Sequence, residues 1–209
     1  GLIVAIISNA VTIADAGAVA ASLGSMVHIK TLTASDSANL TFVHGSSDVV
    51  LDSTYPIYKF ELINIHPETN GEGLQVNFRD GGTNYDATKT SNCYYSYHSA
   101  SNTGLAAVEY QDNYDLGQVT GNQTINNNIG SSKSKACLCG EMYLFSPAST
   151  VSVKHYMIKS TTYHSAEQAA TLNVGGYCNV TAAIDGVKFV MSSGAIGSGK
   201  IKLYGIKDS

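Results

Sequence analysis

The strongest constraint on this chain is a period of two. In Val151-Ser152-Val153-Lys154-His155-Tyr156-Met157-Ile158 the odd-numbered positions are mainly apolar, and side chains that alternate in this way face opposite sides of an extended strand. The pattern returns where Val187, Phe189 and Met191 alternate with Lys188, and where Ile201 and Leu203 alternate with Lys200, Lys202 and Tyr204. Each set turns one face to a core and the other outward. Further candidate strands cover residues 40–43, 49–51, 57–65, 74–78, 93–97, 105–110 and 141–145. Between them lie turn clusters such as Pro67-Glu68-Thr69-Asn70-Gly71, Arg79-Asp80-Gly81-Gly82 and Ser192-Ser193-Gly194, whose glycines supply the backbone freedom that tight turns need. About ten short strands without a long amphipathic helix predict an all-β fold, an antiparallel sandwich of jelly-roll type, with a Greek-key barrel as the nearest competitor.

Two textures divide the chain. Residues 1–34 read as an N-terminal extended arm, low in charge and free of aromatics, for attachment or oligomerisation; residues 35–209 read as the tyrosine-rich β-sandwich body. The arm's small apolar runs at 2–7 and 11–13 suit extended segments that pair with a neighbouring subunit or with the body. Residues 15–23 are rich in alanine, but Gly17 and Gly24 bracket them and argue against a helix. The apolar stretch 2–23 has no preceding lysine or arginine and is interrupted by Ser8, Asn9, Thr12 and Asp15, so neither a secretory signal nor a membrane span is expected. A start at Gly1 is what removal of an initiator methionine leaves. In the body, residues 118–135 are dense in Asn, Gly and Ser and show no clear period, which predicts a long exposed loop of the kind that often carries binding.

Charge excludes one class of partner. Charged residues make up 13% of the chain, and Lys plus Arg number 12, with Arg79 the single arginine. No basic face for a phosphate backbone can be assembled, so nucleic acid is not an expected partner. The surface is instead carried by Ser, Thr, Asn, Gly and 13 tyrosines, a composition suited to meeting proteins or sugars.

No catalytic, metal or cofactor site is predicted. The thiols Cys93, Cys137, Cys139 and Cys178 are too few and too uneven for a disulfide framework. Cys137 and Cys139 would share one strand face, yet lack two further ligands nearby and read as small packing residues. Of the six histidines none falls in a His-Glu-x-x-His context. His66, before Pro67, is expected to satisfy a loop carbonyl, and His155 sits on the apolar parity of its strand and is expected in the core. Loop acids such as Glu68, Glu72, Asp80 and Asp86 occur in any sandwich and do not by themselves make a glycosidase pair. The run Gly194-Ala195-Ile196-Gly197-Ser198-Gly199-Lys200 lacks the spacing of a phosphate loop and reads as a hairpin connection. What remains as candidate glycan or partner contacts are Tyr94, Tyr95 and Tyr97, with Tyr110 and Tyr114 beyond them, and Asn126, Asn127 and Asn128 in the expected loop.

A run of segments carries a resemblance. Asp52-Ser53-Thr54-Tyr55-Pro56-Ile57-Tyr58-Lys59-Phe60 leads into Asn64-Ile65-His66-Pro67. Gly140-Glu141, Leu144-Phe145-Ser146-Pro147, Ser149-Thr150 and Lys154-His155 follow, then Gly176-Tyr177 with Asn179, and finally Ser192-Ser193-Gly194 through Gly199, Ile201, Leu203, Tyr204 and Gly205. In this order they resemble a family of virion structural proteins of tailed phages that infect aquatic bacteria, cyanophage- and pelagiphage-like, over about residues 34–206. The resemblance implies a non-catalytic, surface-exposed component made in the bacterial cytoplasm and incorporated in the virion. Capsid decoration and tail appendage are both expected positions, with other virion proteins as partners through the arm and a homo-oligomer, trimer favoured. The alternative is a receptor-binding tail fibre or spike module that recognises a host surface glycan.

Overall fold

The computed structural model describes residues 6–8, 11–15, 18–19, 25–101 and 104–208. Among the described residues it contains strands and no helix. Strands β1 (Ile6–Ser8), β2 (Val11–Asp15) and β3 (Ala18–Val19) form a small antiparallel sheet of their own. Residues 2–5, part of the expected extended arm, and 20–24 lie outside the described residues.

All other strands belong to one antiparallel sheet that nearly closes into a barrel-like shape. They are β4 (Met26–Ser37), β5 (Leu40–Val43), β6 (Ile57–Pro67), β7 (Glu72–Arg79), β8 (Lys89–Ser99), β9 (Ala106–Tyr110) and β10 (Leu116–Val119). The second half of the chain adds β11 (Gln123–Ile129), β12 (Leu138–Phe145), β13 (Lys154–His164), β14 (Gln168–Cys178), β15 (Gly186–Met191) and β16 (Ile196–Ile206).

The pairing is nested. β4 pairs with β16, β5 with β15, β6 with β12 and β7 with β11. Because β16 also pairs with β6 and β15 with β7, two four-strand stretches result, β4-β16-β6-β12 and β5-β15-β7-β11. Two excursions widen the first stretch: β13 continues from β12, β14 from β13 and β8 from β14, and β9 and β10 share the far side of β8. β11 joins β13 at Ile129 and His164.

Rings crossing between the stretches mark the core. Phe42 of β5 meets Phe60 of β6 edge-on at 5.3 Å, Phe60 meets Phe189 of β15 at 5.6 Å, and Phe78 of β7 meets Tyr156 of β13 at 5.1 Å. All five are fully buried, and each such ring contributes about 2 kcal/mol or more by leaving water. The faces are set by alternation. In β6, Tyr58, Phe60, Leu62 and Ile65 point inward, and the switch of parity after Leu62 coincides with Asn64, whose φ of 50° marks a bulge against β12 and β16.

Several sequence expectations are corrected. Residues 26–34 are not part of an arm: they form most of β4 and are hydrogen-bonded along β16, so the body begins by Met26. Residues 49–51 form no strand, although Val49 and Leu51 are buried under the loop that carries them. The span 118–135 is not one exposed loop, because Gln123–Ile129 is β11, a partner of β7. On β13 the parity is reversed: Tyr156 and Ile158 are buried, whereas His155 and Met157 are exposed, Met157 at 58%. Tyr156 decides this, since its ring packs tilted against Phe78 and its hydroxyl donates to Gln123 Oε1 at 3.0 Å. The same parity forces Lys154 inward, and its ammonium survives burial by donating to the carbonyls of Val180, Thr181 and Ala182.

Candidate functional site

The tyrosine cluster is divided by the strand that carries it. On β8, Tyr94 faces outward, 51% exposed, directly across from Tyr110 of β9 at 59%. Tyr95 and Tyr97 face the other way, with ring centroids 5.6 Å apart. Burial pushes the Tyr95 phenol up to about 12. The three residues therefore do not make one patch. The alternation of a strand was the signal for this, since neighbours such as Tyr94 and Tyr95 must diverge.

The asparagines serve the fold. Asn126 is 0% exposed; its Nδ2 donates to Ser160 Oγ at 3.0 Å and its Oδ1 accepts from the Asn127 backbone N–H at 2.9 Å. Asn127 donates to the Tyr114 hydroxyl at 2.8 Å. Asn128 takes φ of 51°, the left-handed region that asparagine tolerates, and its carbonyl accepts from Ser165 N–H at 2.8 Å. The register of β11 against β7 shifts on both sides of Asn126. Side-chain amides here replace ladder bonds that the irregular register interrupts. Asn126 is corrected from a surface contact to a buried structural residue.

Cys137 and Cys139 come together as their spacing predicts. Their sulfurs lie 3.8 and 3.4 Å from Asn64 Oδ1, and the Asn64 backbone N–H donates to Cys139 Sγ at 3.4 Å. Burial and the neighbouring Cys139 hold the Cys137 thiol above its usual range, which opposes thiolate chemistry. Among the described residues no group of three or more His, Cys, Asp or Glu side chains is placed to hold a metal ion. His66 differs from expectation: its Nδ1 is buried without a hydrogen-bond partner.

Two concavities stand out. One, of about 910 Å³, lies at the end of the sheet where residues 52–56 and 146–149 meet Lys207 and Asp208. Its wall is internally bonded. Tyr58 OH donates to the Asp52 carbonyl at 2.9 Å, Ser146 N–H donates to the Pro56 carbonyl at 2.7 Å, and hydrogen bonds from Thr54 hold the Asp52 carboxyl below its usual range. Asp52-Ser53-Thr54-Tyr55-Pro56 and Ser146 with Ala148 and Ser149 thus converge on this cleft. The second concavity, about 550 Å³, opens on the outer face of β13, β14 and β8 around Gly175. Sequence reasoning missed it because β14 was not recognised: its small residues and paired glycines resemble a turn more than a strand.

Comparison with known proteins finds no match to a protein family, to a curated protein or to a solved structure. Among the described residues there is no helix long and apolar enough to cross a membrane.

Proposed function

We propose that this chain is a non-catalytic structural component of a tailed-phage virion, a jelly roll displayed on the particle surface. The observation that carries the reading is the nested pairing of β4 with β16, β5 with β15, β6 with β12 and β7 with β11. Folding a ribbon of four such pairs produces the jelly-roll order, two facing four-strand layers, and this architecture recurs in viral capsid and lectin domains. The step from architecture to role is analogy, supported by the ordered resemblance in the sequence. In this reading the N-terminal segment joins the protein to other virion proteins, and the body assembles as a homo-oligomer, a trimer being favoured.

A second reading is a receptor-binding module at a tail tip, favoured by the exposed pair Tyr94 and Tyr110 on the widened sheet. Electron microscopy of purified particles labelled with an antibody to this protein tests both. Label spread over the capsid supports decoration, and label confined to the tail apex supports adsorption. Purified particles that carry no label, and whose digests contain none of its peptides, overturn the virion role.

A further inference from the structure

Gly175 lies in the interior of β14, an eleven-residue strand paired in continuous register with β13 on one side and β8 on the other. A glycine there weakens the strand and calls for a reason. A bulge is not the reason, because the register does not shift at this residue. Its backbone is not in the left-handed region. Crowding is not the reason either: a Cβ at Gly175 would meet nothing closer than Asn92 Oδ1 at 3.7 Å. The adjacent Gly176 is different, since a Cβ there would lie 2.5 Å from the Tyr156 ring in the core. Gly176 is therefore explained by packing, and Gly175 by none of these causes. The causes left are a bend of the sheet and close approach of a ligand or of another backbone, and the open hollow over this residue favours the ligand.

The surroundings state what kind of ligand. Gly175 floors the outer hollow of about 550 Å³, within the range of small-molecule sites. Exposed Met157 stands beside it on β13 and Asn92 on β8, both in direct register with Gly175. His155 and Tyr177, with ring centroids 6.0 Å apart, and Phe145 complete the wall. Among the described residues that line it there is no carboxylate, lysine or arginine. Aromatic and thioether surface combined with a side-chain amide and an imidazole complements a pyranose ring, which offers an apolar C–H face and a rim of hydroxyls.

We infer that the hollow over Gly175 is a binding site for a neutral saccharide, gripped between Tyr177, His155 and Met157 and hydrogen-bonded by Asn92. The site is separate from the tyrosine and asparagine positions suggested by sequence, and it stands or falls independently of the virion reading.

The test is titration of the isotope-labelled full chain with cellobiose, maltose, lactose and N,N′-diacetylchitobiose. The amide signals of Gly175 and Gly176 are followed to about 20 mM sugar, enough to register millimolar affinity. Gly175→Leu fills the hollow from a position with room for a side chain, and its folding is checked by thermal unfolding; Tyr177→Ala removes a wall. The inference expects saturable shifts at these amides with at least one sugar, abolished in Gly175→Leu and weakened at least fivefold in Tyr177→Ala. No shift with any of the four sugars, or shifts that persist in folded Gly175→Leu, overturns it. Conversion of an oligomer to monomer by Gly175→Leu, without sugar binding to the original protein, overturns it as well, because the face then receives a second copy of the chain.

Discussion

Arg79 on β7 holds Asp185, the residue before β15, by two parallel bonds, Nε to Oδ1 at 2.7 Å and Nη2 to Oδ2 at 3.0 Å. The Asp185 backbone N–H also donates to the Arg79 carbonyl at 3.0 Å. Side-chain and main-chain bonds thus fix one register between the two central strands of the β5-β15-β7-β11 stretch. Lysine carries the charge without the planar fork. Because the side chains are 17% and 33% exposed, solvent screens part of the attraction. Arg79→Lys is expected to lower stability by about 1–2 kcal/mol, read from urea unfolding. An unchanged midpoint would show that the backbone bonds suffice.

Lys89 supplies a pH signature. It is fully buried, with Nζ donating to Asn77 Oδ1 and the Ala87 carbonyl, each at 2.6 Å, and to the Thr120 carbonyl at 3.3 Å. Burial nevertheless pushes its pKa down to about 8 from 10.5. Between those values the unfolded chain holds the proton more tightly, so the Lys89 contribution to stability rises with pH from 8 to 10.5. Buried Cys93 and Cys178, pushed up to about 11 and about 12, act in the opposite direction above pH 9. Cys93 is common to wild type and Lys89→Met and cancels in the comparison, whereas Cys178 interacts with Lys89 itself and cancels only in part above pH 9. Wild type is expected to gain on Lys89→Met by up to about 3 kcal/mol across this window. A difference that stays flat between pH 7 and pH 10.5 would contradict the shift.

Truncation distinguishes an appendage from the sheet. Deleting residues 1–24 leaves β4 intact on β16 and is expected to keep the thermal midpoint. Deleting 1–33 strips most of β4 from β16 and removes Ile29 and Leu32, which pack against the core. A fall of several degrees or loss of folding is then expected, since burying one such side chain is worth about 1.5–3 kcal/mol. Equal midpoints for the two truncations would return residues 26–33 to the arm.

The two asparagines that flank Asn127 on β11 should respond differently to substitution. Asn126→Ala leaves Ser160 and the Asn127 N–H without their buried partner, for an expected loss of about 2 kcal/mol. Asn128→Gly relieves a left-handed backbone at φ 51° and is expected to be neutral or mildly stabilising. Chemical unfolding of both variants decides. An Asn126→Ala protein as stable as wild type would restore the exposed-loop assignment.

Much of the fold is local and was therefore legible. Val187, Phe189 and Met191 face the core as their spacing predicts, as do Ile201 and Leu203. The turn glycines Gly71, Gly81, Gly82 and Gly194 all take positive φ where turns were expected. Such features depend on a few consecutive residues, for which a period of two or a glycine is sufficient instruction. The candidate site was far less legible. Residues 151–158 fit either parity nearly equally, and contact with distant Phe78 and Gln123 selected the one that buries Tyr156 and Lys154.

Asn126-Asn127-Asn128 has the composition of a loop, and pairing of β11 with β7, far earlier in the chain, made it part of a strand. The hollow over Gly175 exists because β13, β14 and β8 lie side by side, a meeting of the β13–β14 hairpin with a strand far earlier in the sequence. By itself the sequence determined that the chain is β-rich, where it turns and which faces of its clearest strands are apolar. Tertiary structure alone decided the nested pairing, the inward lysines and the ligand-sized hollow, because each depends on long-range contacts whose burial and hydrogen bonds outweigh local preference.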